Sequence, residues 1–376
     1  MLKLLKKKAD PKVGPDYMVL NLGPHHPASS RNLRNVVQLD GETLLRCVPQ
    51  SGFLHCGFEK LAESLELAEF LDLIDRKHLL TTPAIQLSMI EAIESLLRVD
   101  ITERCAYIRV FIAELARIAE HLRALALLAR DVGADLIETA LITPAVRADA
   151  MIRRFAGESG GSLFVRIGGL ATDVPEGVTL ECDEVFEEIE SGLRLVDKML
   201  TRNRVFVNRT KAVGALTREE VDGHGLSGPT ARATGVATDL RRDQPYLVYD
   251  RIAFDVAVGS HGDAFDRFLV RVAEIRESMH IARETLHMLP PGRLETESKI
   301  PESLPEGELY RATESSEGEL GCFLSSTGGK GLHRMRLRSP SLYHYQVFGQ
   351  RAAGLRLSDA MTFLASLNIQ PLEVDR

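Results

Sequence analysis

Two histidines stand side by side in a polar loop, Gly23-Pro-His-His-Pro-Ala-Ser-Ser-Arg31, between prolines that restrict the backbone. Imidazole changes charge near neutral pH, so His25 and His26 suit proton donation or the holding of a polar headgroup. The alternative is a pair of loop histidines with ordinary hydrogen bonds. His55-Cys56, after Gly52-Phe-Leu54, is a second candidate. A metal site built from His26, His55 and Cys56 is conceivable, but nothing in the spacing demands one. A third group is charged. Glu114, Arg117 and His121 are spaced i, i+3, i+7 and share one side of a helix. Asp131 follows on the same stretch, off its apolar stripe. Buried charges need partners, and Asp75-Arg76, in an otherwise apolar stretch, can supply some. The plain reading of this group is an ion-pair network between packed helices.

The elements that must hold these residues are legible from periodicity. Ile101, Cys105, Ile108, Ile112, Leu115, Ile118, Leu122 and Leu125 keep helical spacing. They predict one helix running to Asp131, about 45 Å long. Asp100, three residues before Glu103, is its expected cap, and Gly133 its stop. Further helices are expected over 57–75, 83–97, 144–156, 182–202 and 262–288, the last ended by Pro290-Pro291-Gly292. Runs at 17–22, 33–39 and 44–48, separated by Gly23-Pro24, Pro27 and Asp40-Gly41, predict a small antiparallel sheet. Residues 203–250 read as irregular, and short strands are expected near 307–312, 319–325 and 333–338. The fold class is therefore α+β. It divides into a basic flexible tail (1–16, with Lys3, Lys6, Lys7, Lys8 and Lys12), an N-terminal β-sheet (17–54), a long-helix bundle (55–202) and a mixed C-terminal region (203–376).

Composition removes several function classes. Lys+Arg number 46 against Asp+Glu 53, a net charge of −7, which argues against general nucleic-acid binding. The five cysteines, Cys47, Cys56, Cys105, Cys182 and Cys322, form no C-x-x-C pair. A self-contained iron–sulfur or structural zinc site is therefore not expected. No N-terminal run reads as a signal peptide, and no stretch approaches the ~18 apolar residues of a membrane span. Ser326-Thr-Gly-Gly-Lys330 lacks the first glycine of a phosphate loop, since Ser325 holds that place.

The ordered motifs resemble the D (49-kDa) subunit of respiratory complex I, NADH:quinone oxidoreductase, a family that shares its fold with the large subunit of nickel–iron hydrogenases. The resemblance runs from Tyr17 to Arg376. It is carried by Leu20-Asn-Leu-Gly-Pro-His-His-Pro27, Gly52-Phe-Leu-His-Cys-Gly-Phe-Glu-Lys60, Arg104-Cys-Ala-Tyr-Ile-Arg-Val110, Asp131-Val-Gly-Ala134 and Arg166-Ile-Gly-Gly169. It continues through Asn203-Arg-Val-Phe206, Gly228-Pro-Thr-Ala-Arg-Ala-Thr-Gly235, Asp239-Leu-Arg-Arg-Asp-Gln-Pro-Tyr246 and Gly262-Asp-Ala-Phe-Asp-Arg267. Gly318-Glu-Leu-Gly321, Arg336-Leu-Arg-Ser-Pro340 and the terminal Val374-Asp-Arg376 complete it.

The resemblance implies a subunit without a transmembrane segment at the junction of the peripheral and membrane arms. It would lie on the cytoplasmic side of the bacterial inner membrane and be attached through the complex. Quinone would enter a cavity between this subunit and the iron–sulfur subunit that carries the terminal cluster. NAD, FMN and the clusters would belong to partner subunits, with no cofactor held by this chain alone. Nickel is not implied, because the hydrogenase-type C-x-x-C pairs are missing. The implied partners are that iron–sulfur subunit, other peripheral-arm subunits and membrane-arm subunits, with no nucleic acid.

Carried over position by position, the family pattern puts quinone contacts at His26, Ser30, Leu79 and Asp131, with His26 and Asp131 as the catalytic proton relay. Two of these depart from the pattern. Ser30 stands where the loop's second histidine is usual, with Arg31 replacing a glycine. Asp75-Arg76-Lys77-His78-Leu79 stands for D-R-L-D-Y, so Leu79 replaces the tyrosine and cannot donate a proton. Near the cluster, Cys56 replaces an arginine and Gly161 a histidine. Asp75, Arg76, His121 and Arg166 are retained as structural ion-pair candidates. The chain is also short between Gly292 and Pro305. Three readings stay open: a quinone-cavity subunit of NADH:quinone oxidoreductase, a diverged non-catalytic structural or assembly paralogue, and a subunit of a related membrane-bound oxidoreductase with another donor or acceptor.

Overall fold

A computed structural model of the chain describes residues 17–25, 32–77, 82–156, 163–297 and 301–375. Strands β1 (Met18–Leu22), β2 (Arg34–Asp40) and β3 (Thr43–Gln50) form an antiparallel sheet in sequence order, with Leu20 opposite Val37 and Val36 opposite Val48. Two short helices follow, α1 (Phe58–Ser64) and α2 (Leu67–Lys77), where one continuous helix is expected from the sequence. Then come the long ones: α3 (Pro83–Leu97), α4 (Glu103–Asp131) and α5 (Asp135–Arg154). A two-strand ribbon, β4 (Val165–Arg166) and β5 (Gly169–Leu170), leads to α6 (Val178–Val196), which ends in a π-helical turn at Asp197–Thr201.

The stretch expected to be irregular holds four short helices: α7 (Arg204–Thr210), α8 (Arg218–His224), α9 (Gly228–Arg232) and α10 (Leu240–Asp243). After α11 (Ala264–His287), β6 (Glu306–Ser315), β7 (Gly318–Thr327) and β8 (Arg334–Arg338) form a second antiparallel sheet. Helices α12 (Pro340–Arg351), α13 (Leu357–Leu367) and α14 (Pro371–Val374) complete the described chain.

Helix α4 is the axis of the molecule. Its apolar residues are buried on all sides, among them Ile108, Leu115, Ile118 and Leu122, because α3, α5 and α11 all pack on it. The start differs from the expected Asp100 cap. Thr102 is the N-cap, its hydroxyl accepting the Cys105 N–H at 3.2 Å.

Helix α5 begins nine residues before the expected start and keeps Pro144 in its interior. Proline removes the N–H that would bond the carbonyl of residue 140. That carbonyl faces Gly192 of α6, where an added Cβ would lie 3.3 Å from it. The glycine lets the two backbones approach and makes the interruption tolerable. A second core joins the N-terminal sheet to α12 and α13 through Val37, Leu39, Phe348, Phe363 and Leu367. Among the described residues, no helix is long and apolar enough to cross a membrane.

Candidate functional site

The face of α4 that carries Glu114, Arg117 and His121 is entirely buried, so each charge must be matched within the protein. The Glu114 carboxylate accepts the Tyr249 hydroxyl at 2.6 Å and Arg241 at 3.1 Å, with Arg117 at 3.3 Å. Arg117 donates at 2.6 Å to the backbone carbonyls of both Glu314 and Ser315. His121 Nε2 lies 2.8 Å from Glu274, which also accepts Arg232 Nε at 2.7 Å. Arg232 reaches Glu314 at 2.8 Å, and Arg241 reaches Asp239 at 2.6 Å.

The titration behaviour follows from these contacts. Burial acts to raise Glu274, but the Arg232 charge and the His121 hydrogen bond prevail and hold it well below the usual carboxylate range. Burial pushes His121 down, against the hydrogen bond and charge of Glu274. Glu314 also touches Arg232, yet burial prevails there and its carboxyl is pushed up. Asp75 is not among the partners described for this helix face, and the side chain of Arg76 lies outside the described residues. The partners come from α9, α10, the turn at Tyr249–Arg251, α11 and the end of β6. The Asp75 carboxylate accepts the Leu163 N–H at 2.8 Å instead.

The adjacent face of α4, with Ala113, Ala116, Glu120 and Arg123, lines a cavity of about 600 Å³. The other walls come from α3, α5, the β6–β7 turn and α14. One side is apolar, with Pro83, Leu87, Ile152 and Phe164. The other is polar. Arg123 donates to Glu120 at 2.6 Å and to Asp149, and Gln370 donates to Glu120 at 2.7 Å. Burial pushes Asp149 up despite Arg123. Glu373 completes this wall. It is 4% exposed and receives the Ser341 hydroxyl at 2.5 Å and the Ser339 hydroxyl at 3.3 Å. Burial pushes its carboxyl up to about 7, against the hydroxyl hydrogen bonds and with the nearby Glu317 charge adding to the rise.

The chain end also holds the loop of Cys56. Asp375 accepts the N–H groups of Gly52 at 2.6 Å and Leu54 at 2.8 Å, and its carbonyl lies 3.1 Å from His55 Nδ1. Cys56 is exposed, and the other four cysteines are buried. Among the described residues, no cluster of His, Cys, Asp or Glu is placed to hold a metal ion.

Of the sequence-predicted residues, His26, Ser30, Leu79 and Gly161 lie outside the described residues, as does the side chain of Arg76. The residues that border two of these segments line the cavity: Thr82 follows 78–81, and Ala156 precedes 157–162. Asp131 is the half-buried last residue of α4, eight positions beyond Arg123 and so about 12 Å further along the axis. It does not line the cavity. Burial pushes its carboxyl up to about 6, opposed by Arg130 and Arg209 and assisted by Glu138. Asp75 and Arg166 meet at a separate cleft of about 410 Å³. Arg166 is exposed there, and its backbone carbonyl accepts Arg109 at 3.0 Å.

Sequence reasoning missed Glu120, Arg123, Asp149, Gln370 and Glu373. A usable signal existed for two of them: Glu120 and Arg123 sit three apart, beside the face of Glu114, Arg117 and His121. Nothing local marks Glu373.

A family model described as "Respiratory-chain NADH dehydrogenase, 49 Kd subunit" matches residues 148–303 and 299–376. The chain is 36% identical to the D subunit of NADH-quinone oxidoreductase from Desulforamulus reducens over 362 residues, covering 95% of this chain and 98% of that protein. It is 35% identical to the corresponding protein of Geotalea uraniireducens over 386 residues, covering 96% and 99%. It is 33% identical to that of Methylacidiphilum infernorum over 401 residues, covering 100% and 96%. With relatives matched at full length and a family model that spans the C-terminal half, the chain belongs to the family of the 49-kDa subunit of respiratory-chain NADH dehydrogenase.

Proposed function

We propose that this chain forms one wall of the quinone cavity of an NADH:quinone oxidoreductase and docks the iron–sulfur subunit that delivers electrons there. The observation that carries the reading is the cavity beside α4. Its apolar wall suits a quinone ring, and its polar wall offers groups to the carbonyl oxygens. Two of its lining residues, Thr82 and Ala156, are the sequence neighbours of 78–81 and 157–162, the segments of Leu79 and Gly161. NAD, FMN and the clusters belong to partners, which supply the electrons. This chain's own residues bind and orient the quinone and hold protons, with His26 and Asp131 as the proposed relay. The chain is held at the membrane surface through the rest of the complex.

The test is affinity capture of the tagged chain from gently solubilised native membranes, followed by mass spectrometry. An iron–sulfur partner and membrane subunits recovered at near-equal amounts support the reading. A second reading, a structural or assembly paralogue that binds no quinone, draws on Leu79 and on the closed Glu120–Arg123–Asp149 cluster, which already satisfies the polar wall. It is favoured if the chain comes alone or with assembly factors only.

A further inference from the structure

The buried carboxylates divide by their partners: Asp263, Asp266 and Asp375 accept backbone N–H groups, and a larger set meets arginine. Glu94, Glu114, Asp239, Glu274, Glu314 and Glu317 each lie within 4 Å of an arginine nitrogen. A guanidinium cannot give up its proton and accepts no hydrogen bond, so it serves only the ionised carboxylate. Glu373 is different. It is equally buried and lines the cavity, yet no arginine or lysine pairs with it among the described residues. Its donors are uncharged: Ser341 Oγ at 2.5 Å and Ser339 Oγ at 3.3 Å, both on Oε2, and the Ser341 backbone N–H. A hydroxyl can donate to the carboxylate or rotate and accept from the acid. The two hydroxyls therefore serve both protonation states, which an acid that exchanges protons requires, while the Ser341 N–H serves the anion.

The surroundings keep it so. Across the β6–β7 turn, Glu317 is the charged neighbour, and its own charge is taken up by Arg271 at 2.9 Å and Asn368 at 2.5 Å. From α4, Arg123 and Glu120 face the same cavity but bind each other, with Gln370 standing between Glu120 and α14. Asp375, two residues on, is occupied by the 52–54 loop. Arg117 is bound to Glu114 and to the carbonyls of Glu314 and Ser315, and Arg153, also on the cavity lining, makes no ion pair with Glu373, so no cation is paired with Glu373 among the described residues. Its carboxyl is raised to about 7 by burial, which leaves both forms populated near neutral pH.

We propose that Glu373 is the proton donor to the quinone reduced in this cavity; the inference rests on the reading of the cavity as the quinone site. Two electrons reach the ring from the reduced iron–sulfur centre of the partner subunit, and NADH is the ultimate reductant. One quinone oxygen takes the Glu373 proton. The carboxylic O–H bond breaks, the hydroquinone O–H bond forms, and Glu373 is left as a carboxylate accepting both serine hydroxyls. The second oxygen takes its proton from cavity water, and a further water proton reloads Glu373. One quinone, two electrons and two protons give one hydroquinone.

The test uses the intact purified complex. NADH oxidation is followed between pH 5.5 and 8.5 with decylubiquinone or 2,3-dimethyl-1,4-naphthoquinone, whichever the wild type reduces. Ferricyanide, which reads the flavin end, is the control. Glu373→Gln is expected to lower kcat with quinone by about 100-fold. KM stays within about 3-fold, the fall in rate above pH 7 disappears, and the ferricyanide rate is unchanged. An unaltered quinone rate and pH profile would overturn the proposal. Ser341→Ala removes the shorter hydroxyl that favours the anion, so the alkaline limb moves to higher pH. A limb that does not move also counts against it, even if Glu373→Gln fails to assemble.

Ala113→Phe separates the inference from the reading beneath it. If filling the cavity there leaves quinone reduction intact, or if the wild type reduces neither quinone, the cavity reading fails. If Ala113→Phe blocks reduction while Glu373→Gln behaves as wild type, the proton role alone fails.

Discussion

Asp131→Asn gives a stability test whose sign is fixed by the site. The carboxyl closes α4, where the unpaired carbonyls of the last turn already disfavour negative charge. Burial lifts it from its ordinary 3.8 to about 6. A folded-state value above the unfolded one means that ionisation is harder in the folded protein. The folded state is therefore favoured by this group below the unfolded value near 3.8, and the advantage is lost as pH rises through about 6. A rise of this size corresponds to about 3 kcal/mol. The residue is half-buried, and hydration trims the figure to about 1–3 kcal/mol. Asparagine keeps the shape without the charge.

Urea denaturation of the chain at a series of pH values reads the difference directly. Near pH 4 the variant and wild type should unfold at similar urea concentrations. Above about pH 6.5 the variant should be more stable by about 1–3 kcal/mol, the gap opening between those limits. Arg209→Met should widen the gap, because Arg209 favours the Asp131 anion. A variant that is less stable than wild type at neutral pH would refute the argument. It would mean that the anion is held by favourable contacts and not by default.

Arg232→Met leaves Glu274 and Glu314 buried without their shared guanidinium. It should cost about 3–5 kcal/mol, seen as a lowered thermal midpoint or a failure to accumulate. Asp375→Ala frees the loop that the C-terminus holds through Gly52 and Leu54. Maleimide labelling of the exposed Cys56 should quicken while the four buried cysteines stay unreactive under native conditions, as peptide mapping would show. Gly228→Ala places a Cβ 2.4 Å from the Glu317 carbonyl at φ 64°. It should lower the thermal midpoint by more than an outward-facing Gly→Ala change such as Gly223→Ala.

The long elements were legible because their apolar residues recur at helical or alternating spacing. The α3 limits and the three C-terminal strands fall within a few residues of expectation for that reason. Boundaries failed where a local signal was outweighed. Pro144 reads as a helix start, but the packing of α5 on α4 and the gap at Gly192 keep the helix continuous through it. The Glu114, Arg117 and His121 face was legible as a buried charged face, but its partners were not. Arg232, Arg241 and Glu274 lie more than a hundred residues away, and no spacing encodes that meeting. The cavity was the least legible feature. Its polar wall joins α4 to α14, and among the described residues Glu373 is defined by the lack of a paired cation, which a sequence cannot display.

The two neighbouring faces of α4 are mechanically joined, and Arg117 is the link. Its charge belongs to the buried network through Glu114, yet its two shortest bonds, both 2.6 Å, run to the carbonyls of Glu314 and Ser315. Both of those residues line the cavity. The network thus holds one wall of the cavity at a fixed distance from the helix that forms the opposite one. Arg117→Lys keeps the charge but replaces the planar fork by a single ammonium that cannot span both carbonyls. The β6–β7 turn should then lose one of its two anchors while the proton-carrying groups stay in place. In the assembled complex, KM for decylubiquinone should rise several-fold, with the alkaline limb of the pH profile unmoved and kcat near wild type. A shifted limb at constant KM would show instead that Arg117 acts on the cavity through its charge and not through the position of the turn.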